Sequence, residues 1–429
     1  MKNMTNHLTG IDRPLLKIIQ KIGREADQRH VPAYVAGGIV RDILLGRKNL
    51  DIDVVVEGDA IRLAGEMAAR FKARIKAYGQ FGTATLELPQ GIRVDFAGAR
   101  QERYPHPGAL PVVREGAWKD DLFRRDFAIN AMAIRINQNH FGELIDEFGG
   151  LSDLKNGLIR VLHDQSFKDD PTRILRAVRF EQRFRFSIER KTLGLLRQVV
   201  EGKVMNTVKP PRYFVELKKM LAEEEPLRCL RRLDHLKVLR VIVPLTTIDW
   251  NLWAGIQRRM MPAQGKAVCV PPQSLWLIHF MALTGNAGPR TLSAILKKFP
   301  FKSVEKESIM QARDARDLIK RLSVRDLPRS QVYRILRPLN LETVFYLGLQ
   351  ASSRAIAARI RRYLENDIFV KLEMGGEDLK RLGLSSGQRM GKILEELLSL
   401  KMDGGIQGKE EELQAARELI NYGEGYGAN

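Results

Sequence analysis

The chain has 429 residues, and its 71 lysines and arginines outnumber its 51 aspartates and glutamates, which gives a net charge of +20 at pH 7. The length allows two or more domains, and the charge favours a polyanionic partner, with RNA or DNA ahead of an anionic membrane surface, although a generally basic protein would have the same composition. Cys229 and Cys269 form neither a metal-binding spacing nor a disulfide framework, and no apolar run approaches the ~20 residues of a membrane span. The composition therefore disfavours a disulfide-stapled secreted domain and a membrane protein, and predicts a cytoplasmic one.

The first elements along the chain are a predicted helix and two predicted strands. Residues 12–29 have helical periodicity, whereas the apolar run 33–36 and the β-branched run 52–56 are typical of buried strands. Between the strands, two glycines lead into a short helix that Gly46 ends.

The second strand carries two carboxylates and follows a glycine turn. Asp51 and Asp53 lie two positions apart, so both side chains point to one face, where they favour a divalent cation. Gly37-Gly38 allows a close backbone approach, and Arg41 adds a positively charged fork. Together these features predict a nucleoside triphosphate site, although an ordinary turn beside a solvated strand end is the alternative.

The next stretch predicts the remainder of a small sheet. A helix is expected over 60–71 and strands over 75–78, 83–88 and 92–96. Asp95, on the last strand, is either a third carboxylate near the metal or a strand-end aspartate. Three prolines and two glycines predict a long loop over 101–119. Residues 120–134 predict an apolar helix with polar points that include Arg125 and Asn130, and a hairpin is expected around 137–139.

From residue 151 onwards the chain reads as helical. We expect an α+β fold with a small sheet domain over 1–150, followed by an all-helical neck over 151–230, body over 231–370 and tail over 371–429. In the neck, Arg173, Arg176 and Arg179 fall on one helical face behind Asp169-Asp170, which predicts either a solvated basic face against RNA or a nucleotide site.

Five segments carry a resemblance to a known family. Residues 37–53 read GGIVRDILLGRKNLDID, and residues 124–133 read RRDFAINAMA. Both resemble signature motifs of the tRNA nucleotidyltransferase and bacterial poly(A) polymerase family, the class II CCA-adding enzymes of the polymerase β superfamily. The family's templating motif EDxxR matches at Asp169, Asp170 and Arg173, with Asp169 where glutamate is usual. Residues 376–394 resemble the family's tail, and Arg212 and Glu216 fit its fifth motif, where we expect them to pair as i, i+4 partners.

The resemblance implies the residues of the site. Asp51 and Asp53 would be the catalytic residues and would bind two Mg²⁺ ions. The residues implied to bind the nucleotide are Gly38, Arg41, Arg125, Asp170, Arg173, Arg176 and Arg179. Further candidates are Gly37, Asp95, Asn130 and Asp169.

The implied reaction is template-independent addition of C, A or both to the 3′ end of tRNA from CTP and ATP, with release of pyrophosphate. The basic helical regions would hold the acceptor stem and elbow of the tRNA. A poly(A) polymerase and a split enzyme adding only CC or only A share the same motifs. A non-catalytic RNA-binding protein is a more distant alternative, and a small-molecule nucleotidyltransferase is disfavoured by the charge and the long helical half.

Overall fold

A computed structural model describes residue 8 and residues 11–244, 248–260, 270–351 and 353–424. Cys269 lies outside the described residues. The chain divides into two compact units: residues 1–217 with 228–242, and residues 218–227 with 243–429. We call them the N-terminal and C-terminal units. The sheet lies in the first and helices make up the second, which confirms the α+β class. The finer division into head, neck, body and tail stays a prediction.

The N-terminal unit begins with the predicted sheet and its covering helices. The elements are α1 Arg13–Gln28, β1 Ala33–Ala36, α2 Gly38–Leu44, β2 Asp51–Val56, α3 Ala60–Phe71, β3 Arg74–Tyr78, β4 Thr83–Glu87, β5 Arg93–Gly98, β6 Arg100–Arg103, β7 Val112–Glu115, α4 Trp118–Phe123, β8 Ala133–Arg135 and β9 Leu144–Ile145. Seven strands form one sheet in the order β3-β4-β5-β2-β1-β8-β9.

The central strand β2 positions the acidic residues. It pairs antiparallel with β1 and parallel with β5, where Asp53 stands opposite Asp95. Ile52, Val54 and Val56 are buried, as expected for a strand with a neighbour on each side. The buried run therefore anchors the strand and leaves its acidic amino end at the edge of the sheet.

The prediction of a loop over 101–119 is wrong at both ends, where the chain forms regular structure. β6 and β7 pair antiparallel as a two-stranded ribbon, from Arg100 opposite Glu115 to Arg103 opposite Val112. The three prolines all fall in the connection between these strands, where their missing N–H groups interrupt no ladder. The hairpin expected around 137–139 is confirmed, since β8 and β9 pair across it.

The helix predicted over 120–134 is also wrong. Helix α4 ends at Phe123, a 3₁₀ turn covers Ala128–Asn130, and β8 begins at Ala133. The Asp126 carboxylate accepts hydrogen bonds from the backbone N–H of Phe127 and from Asn130 Nδ2, both at 2.9 Å. Such local side-chain bonds compete with a helix and favour a turn, so the polar residues of this segment break the helix that its apolar residues suggest.

The rest of the N-terminal unit is mostly helical, with one short pair of parallel strands that the sequence did not suggest. Its elements are α5 Gly150–Asn156, β10 Leu158–Ile159, α6 Ser166–Asp169, α7 Arg173–Phe184, β11 Ser187–Ile188, α8 Arg190–Glu201, most of α9 Pro210–Leu221 and α10 Pro226–His235, and α11 Leu239–Ile242.

The C-terminal unit is built from helices. They are α12 Trp250–Met260, α13 Leu275–Thr284, α14 Pro289–Lys298, α15 Ser303–Ala312, α16 Ala315–Leu322, α17 Arg329–Leu336, α18 Leu341–Gln350, α19 Arg354–Glu365, α20 Gly376–Arg381, α21 Gln388–Asp403 and α22 Gly408–Glu424. The last three share an apolar cluster that includes Leu379, Leu397 and Ala416. No helix in the described parts of the chain is long and apolar enough to cross a membrane.

Candidate active site

Three carboxylates share one face at the amino ends of β2 and β5. Asp51 is exposed, and Asp53 and its cross-strand neighbour Asp95 are half-buried. Burial raises the pKa of Asp53, and the nearby charges of Asp95 and Asp51 raise it further, although Arg125 opposes them. The face therefore concentrates negative charge that favours a cation.

Two of these carboxylates fit a magnesium ion better than the third. Asp95 already accepts hydrogen bonds from Thr85 Oγ1 at 2.5 Å and from Arg93 Nε at 3.1 Å. No group of three or more His, Cys, Asp or Glu side chains within the described residues is arranged to hold a metal. Mg²⁺ commonly binds to one or two carboxylates and takes its other ligands from water and substrate phosphates. Asp51 and Asp53 supply such a pair of oxygen donors, so the residues fit the ion that the resemblance implies.

Arg125 lies directly on the glycine turn. Gly37 has φ +85°, and a Cβ built there would lie 2.1 Å from Arg125 NH1. Arg125 is held by Asp121, whose Oδ2 accepts from NH2 at 3.0 Å, and its buried Nε has no hydrogen-bond partner among the described residues. The structure thus brings Arg125, the Gly37-Gly38 turn and Asp53 together, as a triphosphate site requires.

Arg41 is buried and joins the two motifs, and its contact with the nucleotide stays a prediction. Its side chain is only 5% exposed, and burial lowers the pKa of its guanidinium. Nε and NH2 donate to Asp42, and NH1 donates to Asn130 Oδ1 at 2.7 Å. Asn130 in turn donates to Asp126. Through these bonds Arg41 and Asn130 join the first motif to the second.

The arginine face of α7 is not solvated, so the alternative of a solvated basic face against RNA is wrong. Arg173 is 5% exposed and Arg179 is 8% exposed. Arg176 contacts Asp126 at 2.6 Å and Glu216 at 3.4 Å, and the Asp126 charge raises the pKa of Arg176. Burial alone would raise the pKa of Asp126, but Arg176 and the Asn130 hydrogen bond lower it to about 2. Arg176 therefore holds the second motif against α7.

Two of the three residues aligned with the templating motif, Asp170 and Arg173, are fixed by other contacts. Arg173 NH1 donates to Ser166 Oγ and NH2 to the Arg124 carbonyl oxygen, both at 2.7 Å. Asp170 Oδ1 accepts from the backbone N–H and the hydroxyl of Thr172. Each side chain is thus held in place before any nucleotide arrives.

The partner of Arg212 was wrongly predicted from the sequence. Arg212 was expected to pair with Glu216, yet its NH2 donates to Asp170 Oδ1 at 2.9 Å and its NH1 donates to the Gly108 carbonyl oxygen at 2.6 Å. Glu216 reaches Arg176 and Arg179 instead. Arg212 therefore links the β6–β7 connection to Asp170. No periodicity could reveal this, because Gly108 lies 104 residues away.

Asp169 and Tyr104 complete the surroundings of that pair. Asp169 Oδ2 lies 4.0 Å from His163 Nδ1, and burial raises the pKa of Asp169. Tyr104 donates to Glu102 Oε2 at 2.9 Å, and burial raises the pKa of its phenol. The charges of Arg173 and Asp170 act on that phenol, which places Tyr104 beside the templating residues. The sequence showed Tyr104 only as one polar ring in a supposed loop.

Known proteins are similar to this chain in both sequence and fold. Residues 33–160 match the family model for the poly A polymerase head domain, and residues 185–248 match a model described as a probable RNA and SrmB-binding site of polymerase A. The A-adding tRNA nucleotidyltransferase of Halalkalibacterium halodurans is 32% identical over 98% of this chain and 96% of its own. That of Geobacter sulfurreducens is 34% identical over 97% of this chain, which spans only 48% of that relative.

A solved structure agrees with these relatives. The Thermotoga maritima CCA-adding enzyme complexed with tRNA has a TM-score of 0.71 and 34% identity, covering 98% of each chain. The similarity extends over nearly the full length of both the Halalkalibacterium and Thermotoga proteins. The chain therefore belongs to the tRNA nucleotidyltransferase and poly(A) polymerase family.

Proposed function

We propose that the protein is a magnesium-dependent nucleotidyltransferase that adds C, A or both to the 3′ end of tRNA from CTP and ATP, releasing pyrophosphate. The observation that carries the proposal is the Asp51–Asp53 pair beside a glycine turn on which Arg125 lies. This arrangement puts a candidate metal-binding pair of carboxylates beside a candidate phosphate-binding turn. Members of the family to which the chain belongs carry out this chemistry.

The proposed mechanism follows from the side chains around the sheet edge. Asp51 and Asp53 would hold Mg²⁺, which would lower the pKa of the RNA 3′-hydroxyl and neutralise charge on the phosphates. Arg125 donates to the phosphates from the side of Gly37. Because Asp121 fixes one end of its fork, Arg125 keeps a constant direction while the α-phosphate is attacked and pyrophosphate departs.

Base selection is assigned to Asp170 and Arg173. The free oxygen of Asp170 accepts from the exocyclic amine of cytosine N4 or adenine N6, whereas uracil and guanine present an acceptor there. Arg173 retains one N–H on each terminal nitrogen beyond those bonded to Ser166 and Arg124, and these donate to ring acceptors. Arg176 and Arg179 stay proposed nucleotide-binding residues, and both contact Glu216.

The partner proposed for the helical regions is tRNA. The +20 charge supplies the lysines and arginines that bind phosphates without reading sequence. We assign the body and tail to the acceptor stem and elbow, and we place the protein in the cytoplasm, where tRNA maturation would supply its substrate.

A second candidate is addition of A alone, because both relatives described above are named A-adding enzymes. Three versions of one tRNA, ending before CCA, after C and after CC, separate the possibilities when incubated with Mg²⁺ and ATP, CTP or both. Extension of all three to CCA establishes the complete activity, and extension of the CC-ended RNA alone establishes A addition. Long A tails indicate a poly(A) polymerase. No extension, with Asp51→Ala indistinguishable from the parent, refutes the catalytic proposal.

A further inference from the structure

The C-terminal unit contains a polar cavity that none of the proposed catalytic or nucleotide-binding residues lines. It has a volume of about 760 Å³ and opens between the amino ends of α12 and α16, the turn after α13, and the last turns of α18. This volume lies within the roughly 300–1,000 Å³ typical of small-molecule sites, so a bare phosphate would fill only part of it.

Two arginines give the cavity a preference for an anion. Arg313 and Arg316 line it together and are both exposed, three residues apart on the α15–α16 corner. Arg313 bonds to Asp314 through Nε alone, at 3.4 Å, among the described residues. Arg316 donates one bond to Asn286 Oδ1 at 3.1 Å. Both guanidiniums therefore retain donors, and an anion between them would relieve their repulsion.

The opposite wall is neutral or acidic and carries hydrogen-bonding groups. Asp249 is fixed by the backbone N–H of Leu252 and lies 3.5 Å from Asn286 Nδ2. Asn251 and Gln350 also line the cavity. Amides of this kind pair with the edges of a nucleobase, and a carboxylate accepts from ribose hydroxyls. An inorganic anion could accept from the amides but would offer no donor to the carboxylate.

An aromatic residue forms the floor. Tyr346 is 1% exposed, and its hydroxyl lies 3.5 Å from the Met281 carbonyl oxygen, at the limit of a hydrogen bond. A Cβ at Gly285 would lie 3.1 Å from that hydroxyl, so the glycine leaves it room. Because Tyr346 is almost fully buried and its hydroxyl also interacts with Gln350, this residue shapes the cavity wall and offers little surface to a ligand.

From this combination we propose that the cavity binds a nucleoside monophosphate unit, with the phosphate at Arg313 and Arg316 and the nucleoside against Asp249 and Asn251. The unit is either a free nucleotide or one unstacked nucleotide of a bound RNA strand, since both present the same groups. The proposal goes beyond the proposed activity and does not depend on it.

Photolabelling of the full chain with 8-azidoadenosine 5′-monophosphate, followed by peptide mapping, tests the site. We expect saturable labelling of peptides containing residues 285–287 or 346–350, displaced by AMP. Arg313→Gln/Arg316→Gln should reduce it at least tenfold, and the matched pair Arg290→Gln/Arg325→Gln, on exposed arginines of the same unit, should not change it. Ala287→Trp, which fills the cavity and keeps both arginines, should also abolish labelling.

The remaining arms identify the source and separate this proposal from the catalytic one. Competition by tRNA assigns the cavity to an RNA nucleotide, and labelling that persists in excess tRNA assigns it to a free nucleotide. Asp51→Ala/Asp53→Ala should label normally, even if the catalytic proposal fails. Absence of saturable labelling in these peptides, or equal labelling of the parent and both cavity variants, would overturn the proposal.

Discussion

Replacing Gly37 by alanine tests whether the glycine turn exists to admit Arg125. Gly37 has φ +85° and ψ −131°, a region that side chains rarely adopt. Its new Cβ would also lie 2.1 Å from Arg125 NH1, a distance that forces the guanidinium to move. Gly46 provides a matched control, since it has φ +65° with nothing within 4 Å of its Cβ position and is exposed.

The two substitutions differ by the cost of displacing Arg125. Strain at Gly46→Ala should reduce the free energy of unfolding by roughly 1–2 kcal/mol. Gly37→Ala carries backbone strain of about 1–3 kcal/mol and also disturbs the Arg125–Asp121 pair, in which Asp121 is fully buried. A buried carboxylate that loses one partner is destabilised, although Arg124 still pairs with Asp121. We therefore expect a total of about 2–4 kcal/mol for Gly37→Ala.

Urea unfolding and nucleotide-addition rates measure the two consequences separately. Gly37→Ala should lose at least ~100-fold in kcat/KM, equivalent to about 2.7 kcal/mol of transition-state stabilisation, whereas Gly46→Ala should stay within a few-fold of the parent. Removing the obstruction with Arg125→Ala should restore part of the stability of Gly37→Ala but none of its activity. Equal stability and equal activity of the two alanine variants would refute the reasoning.

Three further predictions concern specificity, metal and pH. Arg212→Gln breaks the link from Gly108 to Asp170, so KM for the nucleotide should rise about tenfold with little change in kcat. An unchanged KM would contradict this prediction. Asp53→Asn removes a carboxylate whose pKa is raised by burial and by its acidic neighbours. The variant should therefore unfold at a higher urea concentration than the metal-free parent. It should also lose activity and gain no stability from Mg²⁺. Burial lowers the pKa of His279 to about 4, so the unfolded chain takes up a proton first below pH 6.5. About 3 kcal/mol of the free energy of unfolding should be lost as the pH falls from 6.5 to 4. His279→Asn keeps a donor for the Leu221 carbonyl oxygen and should remove this pH dependence in urea unfolding.

The sheet and its acidic edge were predictable because both follow from short-range pattern. A β-branched run of this length forms a buried strand, and the period of two then puts Asp51 and Asp53 on one face. Asp95 lies on another strand, and its position opposite Asp53 depends on which strands are neighbours. The sequence could therefore nominate Asp95 but could not decide that Thr85 and Arg93 already bind it.

The second motif shows the opposite case, in which a local pattern misled. Its apolar residues have the spacing of a helix, yet Asp126 bonds to the next backbone N–H and to Asn130 and so ends the regular structure. Aspartate can cap a turn wherever it occurs, and nothing in the spacing shows whether it does so. Long-range partners decide the outcome here, because Arg176, 50 residues away, binds the same carboxylate.

The arginines of α7 explain why charge patterns are ambiguous before a fold is known. Arginines on one helical face predict a solvated surface, since burying an unpaired charge is costly. Here carboxylates from distant segments pair with Arg176 and Arg179, whereas Arg173 bonds to a hydroxyl and a carbonyl oxygen, so the face can be buried. Arg41 bonds to Asn130, Asn130 to Asp126, Asp126 to Arg176, and Arg176 to Glu216, which makes one connected series from the glycine-turn motif to α9. Because removing any member takes a partner from a buried charged or polar neighbour, these motif residues hold one another in position around the site.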